Sequence, residues 1–232
     1  MKEQLSSELV SALLGLFAHD LRNPLSALHS NVSFLGSVVS SADTEAHEAL
    51  EDVAASSDAL GHITDNLELF AIALDGGKPR ETHEFAVREL LREAAQKSRR
   101  FAESYRVNLE VEAESADGLR AVANRDMVLR SLSNLIRNAI QHAGETGEVR
   151  VAASREGDAV VIRVQDSGAP LAQDMGEQAF TAEGQLSSKN VSGGRYSRGL
   201  GLYAARIAAD VAGAIVRGAV GEARFELCLS VR

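Results

Sequence analysis

A histidine with polar neighbours stands near the start of the chain, in the segment FAHDLRNPL at residues 17–25. A solvent-facing imidazole can act as a nucleophile, and a nearby carboxylate can orient its ring or accept its proton. His19 is followed directly by Asp20, and Asn23 lies four residues on, which places Asn23 and His19 on one helix face. Pro24 cannot donate to the carbonyl of Asp20, so we expect it to loosen or bend the helix. These residue types suit covalent chemistry at His19, although a histidine alone on such a face is usually a solvated side chain.

Two asparagines, Asn134 and Asn138, form a second group of candidate residues. They are four residues apart, so they share one face of a predicted helix, set against its apolar face. Carboxamide oxygens can complete the shell of a magnesium ion whose other ligands are water and phosphate. The alternative is polar decoration of a surface helix.

A third group combines an aspartate with two glycine-containing segments. Asp166 ends a predicted strand and precedes Gly168, so it can accept a hydrogen bond from an exocyclic amine while the glycine lets a base approach. A common turn is the alternative. The segment SGGRYSRGLGL at residues 192–202 opens a helix with glycines, whose N–H groups suit phosphate oxygens, and a glycine-rich hairpin is the alternative. Three basic residues lie close in sequence and add charge: Lys189, Arg195 and Arg198.

A heptad pattern predicts the helix that carries His19. Its apolar stripe contains Ala18, Leu21, Leu25, Leu28, Val32, Leu35 and Val39. A second run follows a polar break at residues 40–45 and contains Leu50, Val53, Leu60, Leu67 and Leu74, widened by Ile63 and Phe70. An antiparallel helical hairpin alone leaves part of these stripes exposed, so we predict that two copies pair as a dimeric four-helix bundle. In this register His19 falls one position off the seam, toward solvent.

The segment DGGKP at residues 75–79 stops the second helix and predicts a boundary between domains 1–77 and 78–232. Beyond it, the pattern predicts three helices and five strands. The helices are expected at about 85–100, 125–143 and 201–211, and the strands at 107–113, 149–153, 160–164, 215–216 and 225–231. Helices packed on one face of a mixed sheet make an α+β fold, an α/β sandwich.

Composition sets limits on partners and compartment. A chain of 232 residues has room for two modest domains, and its 45% hydrophobic and 25% charged residues are typical of globular proteins. A formal charge of -9 argues against a nucleic-acid partner. The single cysteine, Cys228, fits a reducing compartment, and the apolar stretch at residues 9–18 is too short to span a bilayer. We therefore expect a soluble, cytoplasmic chain without a membrane segment.

The segment HDLRNPL resembles the phospho-acceptor box of the sensor histidine kinases. By that resemblance His19 takes the phosphoryl group, Asp20 assists, and Asn23 orients a water that dephosphorylates a partner. The asparagine helix and the two glycine segments, in this order, resemble the asparagine box and glycine boxes of the Bergerat ATPases, which gyrase-type enzymes and histidine kinases share. The resemblance covers nearly the whole chain and is closest at residues 19–25, 134–143 and 199–202.

The resemblance also implies cofactors, partners and binding residues. Magnesium-ATP binds the second domain, with Asn138 as the metal ligand, and the phosphoryl group passes to His19 and then to an aspartate of a response-regulator receiver domain. The protein is a homodimer. Phe180 begins a mobile lid that extends from Thr181 to Arg198. The nucleotide-binding residues implied are Asn134, Asn138, His142, Asp166, Gly168, Phe180, Arg198, Gly199, Leu200, Gly201 and Leu202.

Three positions depart from the family pattern. Gln141 stands where a basic residue is usual, and Pro170 and Ser197 stand where glycines are usual. We expect Arg198 and Arg137 to supply the missing positive charge. Gln141 and Pro170 favour an alternative function, a histidine phosphotransferase or phosphatase with a degenerate nucleotide site that does not use ATP. A third interpretation is a purely structural dimerisation or binding module.

Overall fold

The structure is a computed structural model that describes residues 7–39, 44–77, 81–170, 177–181, 200–219 and 221–231. The chain divides into two compact units, Met1–Gly77 and Lys78–Arg232. Within the described ranges, no helix is both long enough and apolar enough to cross a membrane.

The first unit is a pair of long helices, α1 at Ser7–Val38 and α2 at Thr44–Leu74. Both were predicted from the heptad pattern. The chain leaves α2 through Gly76 and Gly77, whose φ angles of 87° and 57° favour glycine. The amide of Gly77 donates to the carbonyl of Ile72 at 2.9 Å and closes the helix end.

Side chains that join α1 to α2 show that the two helices run antiparallel. Near the start of α1, Ser11 Oγ donates to the carbonyl of Ala71 near the end of α2 at 2.8 Å. Further along α1, His29 Nδ1 lies 3.6 Å from Asp58 Oδ1, earlier in α2. The hairpin topology predicted from the sequence is therefore present.

The predicted stripe on α1 separates into two columns with different surroundings. One column is buried or half-buried in the hairpin and contains Ala18, Leu25 and Val32. The other column is exposed and, with its counterpart on α2, forms what we call the exposed seam. The exposed seam contains Leu21, Leu28 and Leu35 of α1 and Val53, Leu60 and Leu74 of α2. Each described helix therefore keeps an apolar column that its own hairpin does not cover.

The buried face of α2 differs from the one that hydrophobicity predicted. Its buried residues include Ser57, Thr64 and Ala71 at a spacing of seven, together with Leu69. Thr64 Oγ1 donates to the carbonyl of Leu60 at 2.9 Å, which satisfies its buried hydroxyl within the helix. Small side chains let α1 approach α2 closely. Large apolar residues of α2 consequently lie outside this contact and are exposed and available to a second surface.

The second unit is an α+β sandwich, as predicted, and its described residues form three helices and a seven-stranded mixed sheet. The helices are α3 at Val87–Ser104, α4 at Arg125–Ala143 and α5 at Gly201–Ala212. The strands are β1 at His83–Ala86, β2 at Asn108–Val111, β3 at Arg120–Ala123, β4 at Glu148–Glu156, β5 at Ala159–Asp166, β6 at Ile215–Ala219 and β7 at Arg224–Ser230.

The sheet order is β1-β3-β7-β5-β4-β2, and β6 also pairs with β7. The β2–β4 pair is parallel and the other pairs are antiparallel. Alternation of buried and exposed residues along β5 and β7 gives the sheet one buried face and one face that carries charged side chains. α4 and α5 are joined by a bond from Ser131 Oγ to the carbonyl of Ala205, 2.8 Å long and fully buried.

Two short strands and one boundary were missed in the sequence. Residues 83–86 form β1, although the helix was predicted to begin near 85, and β1 pairs with β3, which was not predicted. Phe85 is the one buried side chain of β1, so this strand shows no alternation of apolar and polar residues. The strand predicted through residue 113 ends at Val111, because Ala113–Ala116 forms a 3-10 turn.

Candidate functional sites

The candidate nucleophile His19 lies on the exposed side of α1, directly after Ala18, which is 1% exposed. Its imidazole therefore faces solvent while its neighbour packs inside the hairpin. Asn23 is also exposed, one helical turn further on. The helix continues through Pro24, and the side chain of Asp20 falls outside the described part of the structure.

Arg22 ties α1 to α2 one turn after His19, a role that the sequence did not reveal. Its Nη2 lies 2.9 Å from Glu68 Oε2 and 3.4 Å from Asp65 Oδ1. The hydrogen bond with Glu68 raises the pKa of the Arg22 guanidinium. Because these side chains are partly solvated, each ion pair contributes at most about 1 kcal/mol to stability. Their effect is mainly to fix how α1 lies against α2 near the histidine.

α4 is the helix that carries the asparagines, and a side chain caps its start. Asn124 accepts a hydrogen bond from the amide of Met127 at 3.1 Å, and Gly144 with φ 71° ends the helix. Asn134 is 3% exposed, and its Nδ2 donates to the carbonyl of Arg130 at 3.0 Å.

The first residue of α5 lies beside Asn134. A Cβ at Gly201 would lie 3.6 Å from Asn134 Oδ1. Asn138 is half-buried on the same face of α4. The structure therefore brings the asparagine face of α4 next to the start of α5.

Asp166 is the most enclosed charged side chain at the candidate nucleotide site, with 1% of its side chain exposed. Its Oδ1 accepts hydrogen bonds from His142 Nδ1 at 2.7 Å and from the amide of Gly168 at 2.8 Å. Its Oδ2 is buried and accepts from no donor in the described part of the chain. A buried acceptor left unsatisfied costs about 1–3 kcal/mol, so this atom favours a ligand that brings a donor.

Gly168 is required by the close packing around Asp166. A Cβ at residue 168 would lie 2.5 Å from His142 Nδ1 and 2.7 Å from Asp166 Oδ1, which is closer than real Cβ atoms come. The glycine therefore has a steric reason that its sequence pattern could not show. Pro170 is exposed two residues later.

The remaining predicted residues are partly buried in the second unit and partly outside the described residues. Phe180 is buried, and its ring packs edge-on against Phe225 of β7 with centroids 5.8 Å apart. Leu202 is buried in α5, and Leu200 is half-buried immediately before it. Arg198, Gly199 and most of the predicted lid, residues 182–198, lie outside the described residues.

Arg137, which was expected to supply positive charge, and Gln141, which stands where a basic residue is usual, both contact aromatic residues at the end of α3. The Arg137 guanidinium lies 3.6 Å from the centre of the Phe101 ring, a cation-π contact. Gln141 Nε2 lies 3.5 Å from the hydroxyl of Tyr105. The expected role of Arg137 at a phosphate therefore gains no support from its described contacts.

Both units match known protein families. Residues 10–75 match the His Kinase A (phospho-acceptor) domain, and residues 123–231 match the histidine kinase-, DNA gyrase B-, and HSP90-like ATPase family. The chain is 28% identical over 187 residues to the alginate biosynthesis sensor protein KinB of Pseudomonas aeruginosa, covering 80% of this chain and 30% of that protein. It is 32% identical over 167 residues to the sensor histidine kinase ZraS of Escherichia coli strain K12, covering 71% of this chain and 34% of that protein. The chain thus spans about a third of the length of these relatives.

Solved structures show the same fold. The catalytic domain of histidine kinase ThkA superposes with a TM-score of 0.51 at 24% identity, covering 65% of this chain and 97% of that domain. Full-length ShkA, solved in complex with AMPPNP, gives a TM-score of 0.58 at 21% identity, covering 94% of this chain and 45% of ShkA.

A phospho-acceptor hairpin followed by an ATPase-type α+β unit is the pair of domains that the two family matches define. The chain belongs to the two-component sensor histidine kinase family. Members of this class are typically dimeric and act on response regulators.

Proposed function

We propose that the chain is an ATP-dependent protein histidine kinase core that autophosphorylates on His19 and passes the phosphoryl group to a response-regulator aspartate. The observation that carries the proposal is the buried Oδ2 of Asp166, which accepts from no described group. The exocyclic amine of adenine is a donor suited to this atom. Residues 1–77 act as the dimerisation and histidine phosphotransfer domain, and residues 78–232 act as the catalytic ATP-binding domain.

The residues around Asp166 fit a magnesium nucleotide. Gly168 allows the base to approach, and the start of α5 at Gly201 offers backbone amides to phosphate oxygens beside Asn134. The carboxamide oxygen of Asn138 is our proposed magnesium ligand, and magnesium neutralises phosphate charge when bound. The proposed nucleotide-binding set is Asn134, Asn138, His142, Asp166, Gly168, Phe180, Arg198, Gly199, Leu200, Gly201 and Leu202.

His19 supplies the nitrogen nucleophile. An N–P bond forms to the γ-phosphorus of ATP as the bond from that phosphorus to the ADP oxygen breaks, so ADP leaves. Asp20 accepts the ring proton or holds the ring tautomer. Asn23, exposed one turn further along α1, orients a water for dephosphorylation of the regulator. Because this chemistry uses ATP, we place it in the cytoplasm.

The exposed seam supports the homodimer part of the proposal. It contains large apolar side chains from both helices, including Leu60 at 49% exposure and Leu35 at 44%. Burying a leucine fully contributes about 1.5–3 kcal/mol, and a second hairpin offers the same surface. Two copies therefore cover each other as a four-helix bundle.

Incubation with magnesium and γ-labelled ATP tests the proposal directly. Wild-type protein is expected to take up acid-labile label, His19→Gln to take up none, and His29→Gln to match wild type. His29 is the matched control because it is another exposed histidine on α1. Labelled His19→Gln would refute the assignment of His19.

A thermal-shift measurement with magnesium-ATP completes this test. No label and no shift on wild-type protein would refute the kinase function. If a phosphorylated receiver domain labels His19 while ATP does not, the chain is a phosphotransferase instead.

A further inference from the structure

We propose that His142 is a positioning residue for nucleotide recognition, and this inference rests on the proposed ATP-binding function. His142 holds the Asp166 carboxylate so that Oδ2 remains available to the base. It thereby sets the preference of the site for a base with an exocyclic amine. In this role the imidazole acts through Asp166 and takes no part in the phosphoryl transfer at His19.

The hydrogen bonds of Asp166 are divided unequally between its two oxygens. Oδ1 accepts from both His142 Nδ1 and the Gly168 amide, at 2.7 and 2.8 Å, whereas Oδ2 accepts from no described donor. A carboxylate only accepts hydrogen bonds, so the proton of this pair lies on Nδ1 of the imidazole. Because both described donors bind Oδ1, Oδ2 is the oxygen that remains available to accept a hydrogen bond from a ligand.

Removing the imidazole donor makes the orientation of the Asp166 carboxylate less well fixed. With the Gly168 amide as the remaining described partner, rotation of the carboxylate group no longer breaks two hydrogen bonds at once. Either oxygen can then face the amide, and the acceptor presented to a base is less well oriented. Because Asp166 is 1% exposed, water cannot readily replace the lost donor.

The position of His142 on α4 places its ring at this carboxylate. His142 follows Asn134 and Asn138 at successive intervals of four residues, so α4 presents all three side chains on one face. The imidazole is 44% exposed while its partner carboxylate is enclosed, so the ring is the solvent-accessible member of the pair. The same helix face therefore offers carboxamides to the proposed phosphate and metal region and an imidazole donor to the carboxylate that reads the base.

Gly168 confines the imidazole from the other side. A Cβ at this position would lie 2.5 Å from Nδ1 and 2.7 Å from Cε1 of His142, so the ring packs directly on the turn backbone. The ring consequently has a defined position, held by the turn below it and by Asp166. A side chain that merely filled the surface would not require this contact.

Two substitutions at His142 separate hydrogen bonding from packing. In His142→Asn the amide Nδ2 can occupy nearly the position of the imidazole Nδ1 and retains a donor. In His142→Leu the donor is lost while the volume is largely kept. The dissociation constants of the magnesium complexes of ATP and inosine triphosphate are measured by calorimetry on the full chain. Inosine triphosphate carries a carbonyl in place of the amine of ATP.

Wild-type protein is expected to prefer ATP. His142→Leu should weaken ATP binding about tenfold and change inosine triphosphate binding by less than about threefold, because only the amine uses the oriented oxygen. His142→Asn should keep the wild-type preference within about threefold. Asp166→Asn serves as the reference variant that removes the preference at its source.

Three results would overturn the inference about His142. If His142→Leu weakens the binding of both nucleotides equally, the ring has a packing role. If His142→Leu leaves both affinities unchanged, the ring has no role in binding. If His142→Asn loses the preference for ATP, the hydrogen-bond donor is not what sets it. If wild-type protein prefers ATP and only Asp166→Asn removes the preference, the proposed function stands and the role of His142 is refuted. Wild-type protein that binds neither nucleotide refutes both.

Discussion

The hairpin presents its candidate nucleophile on an exposed helix face, whereas the second unit encloses its candidate base-recognising carboxylate at the end of a strand. His19 is solvent-facing and lies on α1 directly after Ala18, which is buried in the hairpin. Asp166 is 1% exposed, and its contacts come from α4 and from the turn after β5. The first site depends mainly on local helix register, and the second depends on tertiary packing.

This difference predicts how substitutions at each site affect nucleotide binding. In the proposed function the nucleophile has to reach a second domain and then a partner protein, so it must remain accessible and few contacts constrain it. An acceptor that distinguishes one base from another must be desolvated, since water would satisfy it equally well. Changes near Asp166 should therefore affect binding strongly, while changes of His19 should leave binding intact.

The largest expected effect comes from Gly168→Ala. The added Cβ would collide with both His142 and Asp166, and overpacking of this kind costs enough to weaken ATP binding about 100-fold. His19→Gln should bind ATP as wild type does, because its site lies in the other unit. Calorimetry with magnesium-ATP measures both. Wild-type affinity in Gly168→Ala would show that the turn is not held against the imidazole.

The next effect concerns the exposed seam of the hairpin. Leu60→Lys puts a charge into the surface that two hairpins are proposed to share, so the dimer dissociation constant should rise about 100-fold. Sedimentation equilibrium measures the change. Glu51→Lys, on the opposite side of α2, should leave the association unchanged. An equal response to both substitutions would point to general charge effects and away from a specific interface.

A smaller effect is expected at a strained turn that occurs in the second unit. Arg106 and Thr146 are the two non-glycine residues with positive φ among the described residues, at 54° and 64°. Thr146 is β-branched, so Thr146→Gly should raise the free energy of unfolding by about 1 kcal/mol. Thr82→Gly, exposed and outside the left-handed region, should lower it. Urea unfolding of the two variants checks the sign.

The smallest effect concerns the ion pair between α3 and α4, the counterpart of the Arg22–Glu68 pair in the hairpin. Burial raises the pKa of Glu93. The hydrogen bond and charge of Arg125 and the charge of Lys97 together lower it by more than burial raises it, so the pKa lies below its usual value. A lowered pKa in the folded state stabilises the fold at neutral pH, and this stabilisation disappears as the pH falls through the folded pKa.

Glu93→Gln should therefore lower the free energy of unfolding by less than about 1 kcal/mol at pH 7, because the pair is partly solvated. The difference from wild type should vanish in acid. Chemical unfolding as a function of pH measures it, with Glu89→Gln as the exposed control on α3. A difference that persists at low pH would assign the effect to packing.

The fold was largely predictable because long helices and alternating strands leave clear periods. α4 was predicted with its observed ends, and the antiparallel hairpin followed from the heptads of α1 and α2. β1 was missed because Phe85 is its one buried side chain, and β3 was missed because its buried residues are Ala121 and Ala123, whose small side chains give a weak hydrophobic signal. The buried face of α2 was missed because Ser57 and Thr64 are small and polar, and hydrophobicity does not distinguish them from surface residues.

The site residues also differ in whether the sequence revealed them, and the reason is again local pattern against tertiary packing. His19 and the asparagines were recognisable because their neighbours are close in sequence. The contact between His142 and Asp166 was not, because 24 residues separate them and only the packing of α4 against the end of β5 brings them together. The same holds for the steric requirement at Gly168 and for the placement of Arg137 over Phe101.

The burial of Phe180 has a consequence for optical spectroscopy. Its ring is fixed edge-on to Phe225, and the chain contains no tryptophan. An indole introduced by Phe180→Trp would be the sole strong emitter in the protein, and its emission would report the apolar environment of the second unit alone. Circular dichroism would still be sensitive to the long helices of the hairpin. Fluorescence and dichroism recorded on one sample would therefore resolve the melting of the two units separately.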